Sequence, residues 1–417
     1  MLILFFLLFF YIIISSKNIL LPFSLFVLSW MLYIGIKYVY NLSNFDEYDR
    51  DFLNLIITST LSFIVGYALL SIMLFENKKL QVTFLTKKVE EEKRHKDIGN
   101  KLLVSSILLV ISFTFYLILL GINILQIFQD SLAVRWTLGN GGNNLITQLF
   151  LVPLSVIPVI LIWNLKSVNN YKSIAIFVIC FFYFYLLGIR GVIVDWVFSY
   201  MAIKSFNNKS FSLPFRKILY FGLIAGLVMT VIGFIRLNNQ LNEKVEFTNM
   251  DKVEIVKLST QLFFERLDFL DVLNAYFIKV KNGNNELKLP LVPVFSNFLP
   301  RNFVSEKIYP TDTQVTKIAG EGYAQENITR IVGPLPELYK LGGVYLIIIW
   351  FFCFGVLFKL LSIKIMFSKS GSVLQILYSK QLLQVGSLPL FFGINTIFGT
   401  QFIIVTIISL ITIKILK

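Results

Sequence analysis

The segment from residue 236 to residue 342 begins RLNNQLNEKVEFTNMDKVEIVKLSTQLFFERLDFLD (236–271) and is the one long polar stretch in an otherwise apolar chain. It contains 13 Lys/Arg and 13 Asp/Glu residues, so it carries no net charge. The apolar runs on either side of it are about 18 to 25 residues long, which is the length that a helix needs to cross ~30 Å of hydrocarbon. The polar segment therefore marks where the chain leaves a membrane.

The composition supports this interpretation. The chain has 417 residues, of which 56% are hydrophobic and 15% are charged, whereas about a quarter of the residues of an ordinary soluble domain are charged. We predict an all-α polytopic membrane protein with about 11 transmembrane helices, within a range of about 10 to 12. Residues 1–235 would form helices one to eight, residues 236–342 a large periplasmic loop with short helices, and residues 343–417 helices nine to eleven.

The apolar runs predict the bounds of the spans. We expect helices at Met1–Ser16, Ile19–Ile36, Phe52–Phe75, Leu102–Phe128, Leu145–Leu165, a two-helix hairpin within Ser173–Ile203, Ile218–Ile235, Val344–Leu361, a weaker span at Val373–Phe392, and Ile397–Ile413. The first run lacks a basic start and a small-residue cleavage site, so we interpret it as a retained helix. Within the polar segment, helical spacing of apolar residues predicts an amphipathic helix over Val253–Val280, and a second short helix is expected near Leu335–Leu341.

The net charge of +14 lies entirely in the short loops between apolar runs. The loop 76–101 alone has eight basic residues, which predicts a cytoplasmic location by the positive-inside rule. Alternation along the chain then places the acidic loop 37–51 and the polar segment outside. A basic face, the usual sign of nucleic-acid binding, is missing from this pattern, so we expect no nucleic-acid partner.

The residue inventory excludes several kinds of chemistry. The two cysteines, Cys180 and Cys353, lie in apolar runs, and the only histidine is His95. They allow neither a disulfide framework, nor a zinc site, nor a catalytic triad that uses histidine. The carboxylate spacing in the polar segment matches no familiar metal-binding loop, so we expect neither a metal nor another cofactor.

Ionisable residues within apolar runs are costly and are therefore functional candidates. Arg190 lies at the turn of the 173–203 hairpin between Gly188 and Gly191, where its guanidinium could bind a phosphate through two parallel hydrogen bonds. Alternatively, Arg190 extends to the lipid head groups and has no ligand. We expect Asp195 to pair with a Lys or Arg of another helix and to have a structural role.

Further candidates lie in the polar segment. Glu265, Asp268 and Asp271 recur at intervals of three along one side of the predicted helix, with Arg266 on a neighbouring face. A carboxylate held here could act as a general base towards a sugar hydroxyl, or the group could be a solvated face with local salt bridges. Loop arginines, which often bind anions through their planar fork, follow at Arg301 and Arg330.

These motifs resemble one family in their order. Gly188-Ile-Arg-Gly191, Arg266-Leu-Asp-Phe-Leu-Asp-Val-Leu273, Leu299-Pro-Arg301 and Thr329-Arg330-Ile-Val-Gly333, together with many helices and one large late outside loop, resemble Wzy-type O-antigen polymerases. These membrane enzymes join oligosaccharide repeat units that are linked to undecaprenyl diphosphate. The resemblance covers about Gly188 to Leu361, and the first 170 residues resemble the family only in hydropathy.

The resemblance implies a glycosyl transfer at the periplasmic face of the bacterial inner membrane. The growing chain would be the donor and a single lipid-linked repeat unit the acceptor, with undecaprenyl diphosphate as the leaving group. The diphosphate would be bound by arginines, namely Arg190, Arg266, Arg301 and Arg330. The general base would be Asp271 or Glu265. A partner that regulates chain length is a further implication of the resemblance.

Three other functions remain open at this point. A flippase for the same lipid-linked units would have charges spread along its spans, whereas the charge here is concentrated in the polar segment. The related O-antigen ligases depend on an outside histidine, whereas His95 is predicted to lie inside. A scaffold without enzymatic activity would tolerate the change of Arg266 or Arg301 to Ala.

Overall fold

The computed structural model describes a defined part of the chain. The described residues are 3–4, 6–8, 11, 21–40, 48–76, 98–122, 138, 143–165, 167–187, 189, 191–207, 269–282, 287, 311–319, 333–368, 371–391 and 400–417. Every regular element within these ranges is a helix, which confirms the all-α class for this part of the chain. The predicted span Ile218–Ile235 lies outside the described residues.

The helices are numbered in chain order. They are α1 (Pro22–Trp30), which continues through a π-helical turn (Met31–Gly35) into α2 (Ile36–Tyr40), α3 (Arg50–Glu76), α4 (Ile98–Leu119), α5 (Asn143–Trp163), α6 (Asn170–Leu186), α7 (Gly191–Asn207), α8 (Phe269–Lys281), α9 (Thr311–Ala319), α10 (Leu335–Phe367), α11 (Val373–Lys380), α12 (Leu382–Phe391) and α13 (Thr400–Leu416).

Four of these helices are long enough and apolar enough to cross a membrane. Their candidate spans are Arg50–Ile72, Ile98–Leu119, Ile146–Trp163 and Leu335–Phe367. Large apolar side chains such as Ile72 and Phe115 are more than half exposed on them, as expected for side chains that face lipid. The chain is a membrane protein, and the number of about eleven spans stays a prediction.

Several predicted bounds agree with the structure. Helix α3 covers the predicted Phe52–Phe75 and extends it by a residue or two at each end, and α6 and α7 form the two helices expected within Ser173–Ile203. The expected short helix at Leu335–Leu341 is also present, because α10 breaks at Gly342 and Gly343. Gly343 has φ +60° and ψ −150°, a backbone region that only glycine adopts without strain.

Two predicted bounds were wrong. The span expected at Leu102–Phe128 ends at Leu119, although the apolar run continues. Gly121 with φ +76° closes the helix: Ile122 N–H donates to Leu117 O at 3.0 Å and Gly121 N–H to Ile118 O at 2.9 Å. This is the Schellman pattern of hydrogen bonds, which a hydropathy average does not detect.

The single weak span expected at Val373–Phe392 is instead the two helices α11 and α12, interrupted at Gln381.

Helices α3 and α10 cross with their backbones in contact. A Cβ atom on Gly66 would lie 2.2 Å from the carbonyl oxygen of Phe352, and one on Gly355 would lie 2.1 Å from that of Phe63. Membrane helices use small residues in this way, because close approach increases their van der Waals contact. The crossing holds α10, and with it the break at Gly342–Gly343, in a defined position beside the start of α3.

Two hydrogen bonds each join two segments that the sequence predicts on the same side of the membrane. The Nζ atom of Lys172 donates to Oδ1 of Asn100 at 2.5 Å, which joins the starts of α6 and α4, both predicted inside. The backbone N–H of Asp49 donates to Oδ1 of Asn274 at 2.9 Å, which joins the start of α3 to α8, both predicted outside. Each contact joins two segments that were predicted to lie on the same side, and the assignment of inside and outside stays a prediction.

Candidate functional site

The polar segment contacts the membrane helices through α8. Its buried side chains include Leu270, Leu273 and Tyr276, and the ring of Phe277 lies 5.4 Å from that of Phe52 at the start of α3. One face of α8 is apolar and the other carries Lys279 and Lys281, so the helix packs against an apolar surface by its amphipathic pattern. We call this contact between α8, the end of α2 and the start of α3 the junction.

A buried ion pair lies at the centre of the junction. The Nζ atom of Lys37 is 2.8 Å from Oδ2 of Asp271, and their side chains are 8% and 22% exposed. The hydroxyl of Tyr48 donates to Oδ1 of Asp271 at 2.5 Å. A charge removed from water needs a partner and satisfied hydrogen bonds, and Asp271 has both. Its carboxylate therefore joins α8 to two separate points of the membrane part.

A second ionic cluster lies beside it at the start of α3. The side chain of Asp49 accepts the backbone N–H groups of Asp51 at 2.8 Å and Phe52 at 3.1 Å, which makes it the N-cap of the helix. The Nζ atom of Lys281 is 3.1 Å from Asp49 Oδ2 and 2.7 Å from Asp51 Oδ2. Burial raises the pKa of Asp49, but the hydrogen bonds from Lys281, Phe52 and Asp51 together outweigh it and lower that pKa.

A cleft of about 490 Å³ opens between α3, α8 and α10 at this cluster. Its polar lining consists of Asp49, Asp51, Asn54, Thr58 and Lys281. Its apolar lining consists of Phe52, Leu55, Phe277, Val280, Tyr339 and Val344. The last two residues flank the break at Gly342–Gly343, so the interruption of α10 forms one wall. We refer to it below as the junction cleft.

The structure describes only one of the six predicted site residues. Asp271 lies in α8, and its position as a general base stays a prediction. Lys37 contacts one carboxylate oxygen and Tyr48 the other, and a carboxylate with one partner on each oxygen still has lone pairs that can accept from a sugar hydroxyl. The other five lie outside the described residues: Glu265, Arg190, Arg266, Arg301 and Arg330.

Asp195 has the kind of partner that its sequence context predicted. Its Oδ2 lies 3.1 Å from Nζ of Lys380 in α11, with the two side chains 15% and 7% exposed, respectively. One turn further along α7, the hydroxyl of Ser199 donates to the backbone oxygen of Ser379 at 2.7 Å. The pair therefore locks α7 to α11 within the apolar part of the protein.

Sequence reasoning missed most of the junction. The hydropathy pattern predicts Lys37 as the first residue of a loop, and it gives no functional role to Tyr48, Asn274 or Lys281. One signal was present: Asp271, Asn274 and Lys281 follow at intervals of three and seven, which places them on one side of a helix. The acidic loop 37–51 is the complementary surface, but nothing in the sequence indicates that these two segments meet.

Neither a protein-family model, nor a curated protein, nor a solved structure matches this chain. Among the residues with described positions, no group of three or more His, Cys, Asp or Glu side chains is arranged to hold a metal ion. The functional argument therefore starts from the junction itself.

Proposed function

We propose that this protein is a Wzy-type polymerase that joins lipid-diphosphate-linked oligosaccharide repeat units at the periplasmic face of a bacterial inner membrane. The observation that carries the proposal is the junction cleft, where a helix of the polar segment meets the ends of membrane helices. A substrate whose lipid stays in the bilayer and whose sugars extend into water must react at such a boundary.

In this reaction the donor sugar exchanges its bond to the diphosphate for a glycosidic bond to the acceptor sugar. An acceptor sugar hydroxyl attacks the anomeric carbon of the donor, a new C–O bond forms, and the bond to the diphosphate oxygen breaks with its electron pair. The diphosphate leaves with additional negative charge, which Arg190, Arg266, Arg301 and Arg330 would neutralise. The hydroxyl proton passes to a carboxylate, Glu265 or Asp271. The sugar is activated by its lipid diphosphate, so the reaction needs no nucleotide.

The direct test is extension of purified lipid-linked repeat units by the purified protein alone. Products longer than one unit, in the presence and absence of a chelator, are expected. Arg266→Ala should remove them and Arg266→Lys should restore them poorly, since an ammonium cannot reproduce the bidentate fork. A wild-type protein that is folded but yields only unextended units would contradict the proposal.

The buried Asp195–Lys380 pair supports a second candidate, a flippase for the same lipid-linked units. Ionisable pairs inside membrane helices often belong to transport pathways. The two candidates differ in what their loss leaves at the cell surface. Loss of a polymerase leaves single repeat units attached there, whereas loss of a flippase leaves none.

A further inference from the structure

The junction cleft combines a polar and an aromatic lining. One wall carries the carboxylates of Asp49 and Asp51, the amide of Asn54 and the hydroxyl of Thr58. The lining also includes the aromatic rings of Phe277 in α8 and Tyr339 in α10. The volume of about 490 Å³ falls within the range of about 300–1,000 Å³ that is typical of small-molecule sites.

The aromatic wall is ordered by its own packing. The rings of Phe277 and Tyr339 lie 5.1 Å apart at 75°, an edge-to-face arrangement, which is a preferred geometry for aromatic pairs. Phe277 is buried, whereas the side chain of Tyr339 is 37% exposed. Tyr339 therefore offers ring surface to an occupant, and Phe277 holds it in place.

The charge of the cleft selects against an anion. Two carboxylates and the single ammonium of Lys281 leave the lining with one net negative charge. The Lys281 ammonium is already 2.7 Å from Asp51 and 3.1 Å from Asp49. A diphosphate here would face two carboxylates at close range, whereas uncharged hydroxyl groups would donate hydrogen bonds to them.

We propose that the junction cleft binds a sugar ring of the lipid-linked oligosaccharide. A pyranose has hydroxyl groups at its edge for the carboxylates and the amide, and a C–H face that packs on an aromatic ring. The identity of the oligosaccharide rests on the proposed function, whereas the preference for a neutral polyol over an anion follows from the lining alone. The diphosphate of the same substrate then has to be bound elsewhere, by the arginines.

The position of the cleft relative to the membrane agrees with such an occupant. The candidate span of α3 begins at Arg50, and the lining extends from Asp49 to Thr58, about two helical turns into that span. On α10, Val344 lies just beyond the break and begins the long apolar part of the helix. A sugar joined to its lipid through a diphosphate stays close to the bilayer surface, so the cleft at the start of these spans is within its reach.

The test fills the cleft with a bulky side chain. Asn54 is exposed on α3 and lines the cleft, so Asn54→Trp should block it without changing the Lys281 ion pairs. Leu61 is 47% exposed and lies seven residues further on, two turns deeper on the same side of α3. Leu61→Trp is therefore a matched control outside the cleft.

The probe is the repeat-unit oligosaccharide, released from the lipid-linked pool of the producing cells by mild acid and titrated into the purified full-length protein in detergent. We expect binding to the wild type and to Leu61→Trp, and at least a tenfold increase of Kd for Asn54→Trp. Inorganic diphosphate should not displace the oligosaccharide. Thermal unfolding of each variant shows whether it is folded.

Two outcomes would overturn the assignment: the wild type does not bind the released oligosaccharide, or the folded Asn54→Trp variant binds it as tightly as the wild type does. Extension of lipid-linked units by the same preparations separates this result from the proposed function. If the wild type extends its substrate and Asn54→Trp does so with an unchanged KM, the junction cleft is not the sugar site, but the proposed polymerase function is supported. If the oligosaccharide binds in the cleft but no extension occurs, the proposed polymerase function is refuted and the sugar site is supported.

Discussion

Lys37 in α2 forms a largely buried ion pair with Asp271 of the polar segment at 2.8 Å. This contact is one of several that join the large polar segment to the membrane part. The hydroxyl of Tyr48 completes the site. Asp271, which the resemblance implies as one of two alternative bases with Glu265, is an anchor in the structure, and the two roles predict different behaviour in variants.

Removal of one partner of this pair should destabilise the junction. Lys37→Met leaves the Asp271 carboxylate without its cation, and the loss of one partner of a buried pair costs roughly 3–5 kcal/mol. We expect a lower thermal unfolding midpoint in detergent for Lys37→Met and for Asp271→Asn. If the double variant is more stable than the sum of the two single changes predicts, the residues are coupled.

A separate measurement distinguishes anchor from base at Asp271. If Asp271 acts only as an anchor, Lys37→Met and Asp271→Asn should reduce chain extension in proportion to their loss of folded protein. If it is also the base, Asp271→Asn should abolish extension per folded molecule, whereas Lys37→Met should not. The comparison uses extension rates divided by the folded fraction.

The pair formed by Asp195 and Lys380 should behave as a unit. Lys380→Met leaves a carboxylate unpaired among apolar helices, so we expect little folded protein in the membrane. The combination of Lys380→Met with Asp195→Leu removes both charges and should recover most of it, because apolar replacements of a whole buried pair are often tolerated. A double variant as poor as the single one would mean that the pair is needed for more than folding.

The crossing of α3 and α10 should not tolerate a larger residue. A Cβ on Gly355 would lie 2.1 Å from a carbonyl oxygen of α3, so even Gly355→Ala must separate the helices, and overpacking of this kind typically costs ~1–3 kcal/mol. Gly191→Ala is the control, because a Cβ there meets nothing within 4 Å. Unfolding midpoints in detergent are compared, and equal midpoints for the two variants would contradict the close crossing.

Acid should loosen the junction through Asp49. The folded-state pKa of this carboxyl is lowered, so its contribution to stability is present above the unfolded value of about 3.9 and is lost as the pH falls through the folded value. We expect weaker protection from hydrogen exchange, measured relative to the intrinsic rate at each pH, at the start of α3 and in α8 below about pH 4. In Lys281→Met, which lacks the cation facing Asp49 and Asp51, this acid-dependent change should be smaller.

The arginines should be needed for activity and not for insertion. Arg190→Ala and Arg266→Ala are expected to abolish surface polymer while the protein reaches the membrane at its normal level, because the diphosphate would lose its charge-assisted hydrogen bonds. Surface polysaccharide of full length in both variants would refute these assignments. Immunoblots of the membrane fraction provide the control for protein level.

The sequence by itself determined the class of the protein and much of its local structure. The length of the apolar runs predicted α3 and the long part of α10, and the basic residues Lys172 and Lys204 on either side of residues 173–203 favoured a hairpin. A separate short helix was expected before the span that begins at Val344. Such helix bounds can be predicted because they depend on the hydropathy and backbone preferences of neighbouring residues in the chain. The end of α4 was missed because one positive φ angle at Gly121 stops a helix within a run that is still apolar.

Only the tertiary structure decided the partners. That Lys37 meets Asp271, that Lys380 meets Asp195, and that α3, α8 and α10 enclose a cleft all depend on segments far apart in the chain. A charge in the sequence shows that a partner is needed, because burial of an unpaired ion is costly. It does not show which partner, since that is selected by how the apolar faces of the helices pack.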